Sequence, residues 1–186
     1  LINGPTWNSG TGGYFSFDGV NDYCYFPNSN QTPRNESQTF GGWVRTTTSS
    51  ADTVFFIRGE DGFGEGWSLS LYKAANTNVL SMGAVFDNFG FSLSSTTTLV
   101  SNTWYYVVGR WTKQTGISIF VNGQLQNSRT ISFSTLRGST IGWQMARYNG
   151  PTYRNMDIGD FELYNRSLSD AEVLQNYNTR KSIYGY

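Results

Sequence analysis

The segment Gly159–Arg180 reads GDFELYNRSLSDAEVLQNYNTR and gives the clearest indication of the fold. Its first part, FELYN, alternates apolar and polar side chains, as a half-buried β-strand does. Ser169 and Glu172 then match a capping box, in which each side chain accepts a hydrogen bond from the backbone amide of the other. This pattern predicts a helix that begins near Asp170. Because the helix has only about two or three turns, it needs a larger body to pack against.

The rest of the chain predicts about a dozen short strands separated by turn clusters, which is typical of an all-β sandwich or barrel. The clearest hairpin is centred on Asn122 and Gly123, a pair that supplies the two positive-φ positions of a type I′ turn. A second turn, DGVND, begins at Asp18. The segment WYYVVGRW at 104–111 carries large residues on both faces, which predicts aromatic side chains on an outer face of a sheet as well as in the core.

Composition excludes several classes of protein. The 186 residues fit one domain, residues 1–186, which we interpret as part of a larger chain. The formal net charge is zero and the basic residues are scattered, so neither a nucleic-acid partner nor membrane insertion is predicted. The sequence has no histidine, which removes the usual general base and imidazole metal sites. A lone cysteine, Cys24, excludes a disulfide within the chain.

Several segments, taken in order, carry a resemblance to a known family. They are FSFDGVNDYCYF, TFGGWVRT, GWSLSLY, NTWYYVVGRWTKQTGISIFVNGQ, STIGW and DIGDFELYNRSLSDAEVLQNYN. Their order and spacing resemble the laminin-G-like branch of the concanavalin A-like lectin/glucanase superfamily over essentially the whole chain. The resemblance implies an all-β jelly roll of two packed antiparallel sheets, with the short C-terminal helix closing one end of the sandwich.

A second resemblance concerns the two ends of the chain. The segments LINGPTWNSGTGGYFSFDG and LQNYNTRKSIYGY are similar to modules of tailed-phage structural proteins. This resemblance implies a domain displayed on a virion surface, in contact with other virion proteins. The chain departs from the laminin-G-like pattern in its last strand, where Gly159 precedes Asp160 and members of the family often carry two acidic residues.

Paired carboxylates are the first candidates for chemistry, because glycosidases use an acid and a nucleophile or base of that type. Glu60, Asp61 and Glu65 cluster in RGEDGFGEGW. The laminarinase-type relatives place their catalytic acids at alternate positions of one strand, whereas these residues sit at another spacing in a glycine-rich segment. We therefore predict a solvated loop there, no catalytic residue and no enzyme activity.

A structural calcium ion is the second candidate, since relatives of this fold often carry one. Asp18 and Asp160, with backbone carbonyls, could supply the oxygen ligands that calcium prefers. The alternative is that Asp18 caps its own turn and that Asp160 accepts from local amides. No cofactor is required by the sequence.

Aromatic side chains beside polar ones in the loops are the third candidate, because sugar sites combine a stacking ring with fixed hydrogen-bonding groups. The residues with this pattern are Phe63, Asp87, Asn88, Phe89, Arg147, Tyr148, Asn149 and Tyr153. The alternative is that the rings pack loops onto the sandwich or form a subunit interface, which leaves an oligomer open.

These observations favour a non-catalytic binding module on a virion surface or in another extracellular setting. Its predicted partner is a glycan or a host-surface receptor, recognised by loops rather than by the faces of the sheets. The alternative is a structural decoration or fibre domain that makes protein contacts only, and a glycoside hydrolase is the less favoured third reading.

Overall fold

The computed structural model describes residues 1–10, 12–27, 33–47, 53–60, 66–86, 89–137, 142–148 and 152–186. These residues form strands, one α-helix and one 3₁₀-helix. The strands are β1 (Thr6–Asn8), β2 (Tyr14–Asp18), β3 (Cys24–Phe26), β4 (Gln38–Thr46), β5 (Thr53–Glu60), β6 (Gly66–Lys73), β7 (Val79–Phe86), β8 (Phe89–Thr98), β9 (Trp104–Thr112), β10 (Gly116–Val121), β11 (Gln124–Thr130), β12 (Trp143–Met145), β13 (Arg147–Tyr148), β14 (Thr152–Tyr153) and β15 (Asn155–Tyr164). The α-helix, α1, is Asp170–Arg180, and the 3₁₀-helix is Lys181–Tyr184.

Two antiparallel sheets form the sandwich that the sequence predicts. One has seven strands in the order β1-β2-β15-β4-β9-β10-β11, and the other has six in the order β3-β12-β5-β6-β7-β8. The short strands β13 and β14 form a separate two-stranded hairpin. The all-β jelly roll with one short C-terminal helix is therefore confirmed.

The core lies between the two inner faces of the sheets. Alternate residues of the long strands point inward, as the period of two in a β-strand requires. In β9, for example, Val107 and Trp111 are fully buried among side chains of both sheets, while the flanking Arg110 points outward. Burial of this apolar surface is the main driving force for folding of such a sandwich.

The predicted β10–β11 hairpin turns at Asn122 and Gly123. Both residues have positive φ, 51° and 76°, as a type I′ turn requires. Asn122 also fastens the turn to β9, because its side-chain oxygen accepts from the Tyr106 amide at 3.0 Å. A side chain at position 123 would meet Leu174 and Tyr177 of α1, so the turn lies directly under the helix.

The capping box of α1 is present as predicted. The Ser169 hydroxyl accepts from the Glu172 amide at 3.3 Å, and the Glu172 carboxylate accepts from the Ser169 amide at 2.8 Å. Arg166 adds an ion pair to Glu172 at 2.6 Å. Together these contacts lower the pKa of Glu172 from 4.5 to about 2, with the hydrogen bond from Arg166 as the largest cause.

The position of α1 corrects the expectation that it closes one end of the sandwich. Residues 170–186, which we call the C-terminal cover, lie instead on the outer face of the seven-stranded sheet. Val173 is fully buried there in a cluster with Trp43, Tyr106 and Phe120. The physical reason is that β4, β9 and β10 also carry large apolar residues on their outer face. Without the cover this apolar surface would be exposed to solvent.

Gly159, the departure from the family pattern, is explained by the cover. A Cβ atom at this position would fall against the hydroxyl group of Tyr184, and 2.7 Å from the ring carbon that bears it. Tyr184 stacks on Trp43 with a centroid distance of 4.3 Å and an interplanar angle of 16°. Asp160 meanwhile pairs with Arg180 of α1 at 2.7 Å. Glycine at position 159, in place of an acidic residue, therefore leaves the space that Tyr184 of the cover occupies on β15.

Candidate functional site

The predicted ligand residues lie at opposite ends of the sandwich. Lys73 pairs with Thr53 and with Leu80, so the start of β5 and the start of β7 share one end. Phe89 pairs with Phe86 at the other end of β7, which is roughly 20 Å away at about 3.3 Å per residue. The β13–β14 hairpin follows β12 at the end that holds the start of β5. One ligand site cannot include both sets.

Phe89 is 59% exposed and belongs to an aromatic group that closes its own end of the sandwich. Its ring lies 5.4 Å from that of Phe133, which in turn stacks on the buried Phe86 at 5.6 Å. Four other predicted ligand residues lie outside the described part of the chain: Phe63, Asp87, Asn88 and Asn149.

The β13–β14 hairpin brings Arg147 and Tyr153 together, since the two residues face each other in the strand pair. The guanidinium carbon of Arg147 lies 4.7 Å from the centre of the Tyr23 ring, and the Tyr23 and Tyr153 rings are 5.9 Å apart. All three side chains are partly exposed. We call Tyr23, Arg147 and Tyr153 the hairpin cluster. It offers two aromatic rings and a planar cation at one surface.

The backbone around this hairpin is fixed by a sharp turn before it. Ala146 has a φ of 60°, a left-handed conformation that non-glycine residues adopt only when surrounding contacts hold them there. The Arg154 amide donates to the Ala146 carbonyl at 2.9 Å and closes the base of the hairpin. Tyr148, the other predicted residue, pairs with Thr152 and is half-buried.

Tyr23 was missed by sequence reasoning, although a signal for it exists. In the segment YCYF, the buried Cys24 points into the core, so its neighbours Tyr23 and Tyr25 must point outward. Tyr25 is 38% exposed. The alternation around a buried cysteine therefore predicts that both tyrosines face away from the core. The sequence does not show that Tyr23 lies beside the hairpin, because this contact forms only in the folded chain.

The two aspartates proposed as calcium ligands are far apart. Asp18 pairs with Asn155 at the start of β15, and residues 155 to 160 of that strand span roughly 16 Å at about 3.3 Å per residue. Asp18 accepts from the Val20 amide at 2.7 Å, and this hydrogen bond is the largest cause that lowers its pKa. Asp160 is paired with Arg180. These residues do not fit a shared calcium ion, and across the described ranges no group of three or more acidic, cysteine or histidine side chains is placed to hold a metal.

The acidic segment considered for catalysis is largely outside the described residues. Asp61 and Glu65 lie in the gap between β5 and β6, and Glu60 is the last residue of β5. The helices of the described part of the chain also lack the length and hydropathy of a membrane span.

Comparison with known families matches most of the chain to one of them. Residues 18–174 match the laminin G family model described as the concanavalin A-like lectin/glucanases superfamily. No curated protein matches the sequence.

Solved structures similar to this chain include two toxin domains and an enzyme. The binding domain of botulinum neurotoxin serotype G has 16% identity and a TM-score of 0.72, with 95% of this chain and 45% of that chain covered. The serotype D ligand binding domain in complex with N-acetylneuraminic acid has 15% identity and a TM-score of 0.76, with 96% and 45% covered. Trypanosoma rangeli sialidase in complex with sialic acid has 19% identity and a TM-score of 0.68, with 93% and 28% covered. The chain thus spans less than half of each, and at these identities the likeness establishes the fold alone.

Proposed function

This chain belongs to the laminin G family of the concanavalin A-like lectin/glucanases superfamily, and we propose that it is a non-catalytic glycan-binding module. The observation that carries the proposal is the hairpin cluster. Sugar rings have apolar faces that stack on aromatic rings, and hydroxyl groups that accept from fixed donors. Tyr23 and Tyr153 supply the rings, and Arg147 supplies the donors.

The hairpin favours a sugar that carries a negative charge. Arg147 and Arg154 both belong to it, and a guanidinium group binds a carboxylate through two parallel hydrogen bonds. The acidic residues nearest in sequence to the cluster and the hairpin are both buried. Asp22, beside Tyr23, is 5% exposed and accepts from the Asp18 amide at 3.2 Å, and Asp157, after the hairpin, is 4% exposed and pairs with Arg45 at 2.7 Å. Two of the similar structures are complexes with N-acetylneuraminic acid or sialic acid, which are sugars with a carboxylate.

We place the module on the outside of a virion or cell, where a glycan or host-surface receptor is its partner. The virion setting rests on the likeness of both chain ends to phage structural modules and stays a prediction. A decoration or fibre domain that contacts only other virion proteins is the alternative. The candidate acids of the hydrolase reading, Glu60, Asp61 and Glu65, lie mostly outside the described residues.

The test is to change Tyr153→Ala and Arg147→Gln, singly and together, and to measure binding to a glycan array that includes sialylated and neutral glycans. Phe89→Ala is the matched control, because it removes an exposed ring at the opposite end of the sandwich. We expect each hairpin change to weaken binding by about 1–3 kcal/mol, or roughly 5- to 150-fold, while Phe89→Ala binds as the unchanged protein does.

Three results would reverse the proposal. Loss of binding in Phe89→Ala alone would move the site to the other end of the sandwich. Full glycan binding by the double variant would show that the hairpin cluster is not the glycan site and would favour the structural alternative. Release of reducing sugar from any array ligand would favour the hydrolase reading.

A further inference from the structure

An apolar cavity opens at the edge of the sandwich where β2 and β15 face β3 and β12. It has a volume of about 180 Å³ and lies between the inner faces of the two sheets. The residues that line it are Leu1, Phe15, Phe17, Cys24, Phe26, Met145, Ile158, Gly159 and Phe161. None of them belongs to the hairpin cluster, so the cavity is a separate feature of the fold.

The cavity exists because β15 is irregular beside it. The pairing of β15 with β4 shifts between Ile158 and Phe161, and both of these side chains pack on the core although they are three residues apart. The two residues between them place no side chain there. Gly159 has none, and the carboxylate of Asp160 pairs with Arg180 of the cover. A bulge of this kind therefore leaves unfilled space on the inner side of the strand.

The walls of the cavity are supported from behind, which limits how far they can close over the space. The Phe161 ring lies 5.0 Å from that of Phe56 and 6.0 Å from that of Trp143, both of which are buried. Phe26 stacks on Phe161 at 5.7 Å with an interplanar angle of 21°. A ligand that fills such a space restores the contacts that its walls lack.

The lining of the cavity is almost entirely apolar. Among the described residues that line it, the only polar side-chain atom is the sulfur of Cys24, which is buried. Burial raises the pKa of this thiol and outweighs the opposing effect of the nearby amino group of Leu1, so the thiol is neutral at neutral pH. A sugar would lose its hydrogen bonds to water in such a space without replacing them, whereas an apolar group has none to lose.

The mouth of the cavity is also apolar. Leu1 and Phe26 both line the cavity and are both exposed at the surface. The exposed Trp7 lies beside them, because its ring is 4.8 Å from that of Phe15. Large apolar side chains that are grouped at a surface mark places where another molecule binds. A ligand can therefore enter from solvent at this edge of the sandwich.

We propose that this cavity is a binding site for one apolar ring, such as the phenyl group of a small ligand. Its volume fits a ring of this size, since a dry apolar cavity of about 150 Å³ holds one benzene molecule. Its lining fits an aromatic ring, because phenylalanine rings offer edge-to-face and offset contacts and the sulfur of Met145 offers a further one. The site goes beyond the proposed glycan binding, because Cys24 faces the cavity while the preceding Tyr23 belongs to the hairpin cluster.

The test is an NMR titration of backbone amide signals with benzene, with sodium hexanoate and with D-glucose. We expect benzene to shift the signals of Cys24, Met145 and Ile158 in a saturable manner. Hexanoate, which offers an open chain, should bind at least about tenfold more weakly, and D-glucose should leave these signals unchanged. Cys24 is the only cysteine of the chain, so its reaction with methyl methanethiosulfonate gives a second readout, which bound benzene should slow.

A pair of isoleucine variants tests whether the space is empty. Ile158→Phe adds a ring beside the cavity and should abolish the benzene shifts without lowering the melting temperature, because the new ring occupies the empty space. Ile119→Phe is the matched control, since Ile119 is fully buried in the same core but does not line the cavity. Its larger side chain should lower the melting temperature by several degrees, while benzene still binds.

Several outcomes would overturn the apolar site. The absence of a saturable benzene shift, or unchanged benzene binding by Ile158→Phe, would remove the cavity as a site for a ring. Hexanoate that binds as tightly as benzene would assign the cavity to an alkyl chain, and D-glucose shifts at the same residues would make it a saccharide site. The double variant Arg147→Gln, Tyr153→Ala should keep the benzene response, and its loss there would assign the response to the hairpin cluster instead.

Discussion

The C-terminal cover and the hairpin cluster are built from the same kinds of side chain, yet the structure uses them differently. Both combine tyrosine rings with arginine. In the cover, Tyr184 is 7% exposed, stacks on Trp43 and donates to Asp160 at 3.4 Å. In the hairpin cluster, Tyr153 stays partly exposed, and its nearest ring is 5.9 Å away.

The difference shows that aromatic and basic composition alone does not separate a binding surface from a packing contact. What separates them is how completely each ring is surrounded. Burial raises the pKa of Tyr184, with the charge of Asp160 as the second cause, because both oppose ionisation of the hydroxyl. Rings that are enclosed in this way stabilise the fold, whereas rings with one open face remain available to a ligand.

The largest expected effect comes from removing the ring of β4 on which the cover packs. Trp43→Ala should lower the free energy of unfolding by about 3–5 kcal/mol, because Trp43 is fully buried and the cavity left behind cannot collapse completely. Chemical denaturation measures the change. Trp7→Ala, at a residue that is 54% exposed, is the control and should cost about 1 kcal/mol or less. Similar losses for the two variants would show that the cover contributes no more than an exposed ring does.

A smaller effect is expected from crowding the contact between the last strand and the cover. Gly159→Ala should cost about 1–3 kcal/mol, since the new methyl group would displace Tyr184 from its stack. Gly90→Ala is the matched control, because a Cβ atom there would have no neighbour within 4 Å. Thermal melting of the two variants compares them directly. If Gly159→Ala melted like Gly90→Ala, the tight fit between Gly159 and Tyr184 would be wrong.

In the hairpin cluster, loss of a ring should cost less stability. Tyr153→Ala should lower the free energy of unfolding by about 1 kcal/mol, the usual worth of one aromatic pair beyond burial. Tyr184→Ala, measured beside it, should cost several times more because that ring is enclosed. A loss for Tyr153→Ala as large as that for Tyr184→Ala would make the hairpin a second packing contact rather than a binding surface.

The smallest expected effect concerns the cap at the start of the cover. Because the folded pKa of Glu172 is about 2, below its usual value of 4.5, the charged form is favoured in the folded state. Its contribution is fully present above about pH 4.5 and is lost as the pH falls towards 2. Glu172→Gln should therefore be less stable than the unchanged protein near neutral pH, and the gap should close in acid. A gap that stays constant between pH 5 and about pH 2 would contradict this.

The local parts of the fold were predictable because their signals are local. The capping box at Ser169 and the turn at Asn122 and Gly123 each depend on residues close in sequence, and both are confirmed. The position of the cover was not predicted. The cover packs on the outer face that carries Trp43 and Tyr106. These two residues are distant in sequence and form one apolar surface only when β4 pairs with β9.

The candidate sites were predictable only in part for the same reason. Arg147 and Tyr153 lie close in sequence and meet in the structure as expected. Tyr23 reaches them from more than a hundred positions away, and only the pairing of β3 with β12 brings it there. Asp160 was read as a metal ligand because nothing in its own strand reveals that Arg180 folds back onto it.

The central place of β15 in the seven-stranded sheet has a consequence for how the chain folds during synthesis. β15 lies between β2 and β4, and the hydrogen bond from Ser16 to Asp157 joins residues 141 positions apart. As the nascent chain leaves the ribosome, the β1–β2 pair must therefore wait until residues 155–164 are made before β2 can pair with β15. Loop closure over such a distance is entropically costly, so we expect folding to be slow, on the order of milliseconds to seconds, and to begin in the contiguous meander from β5 to β8.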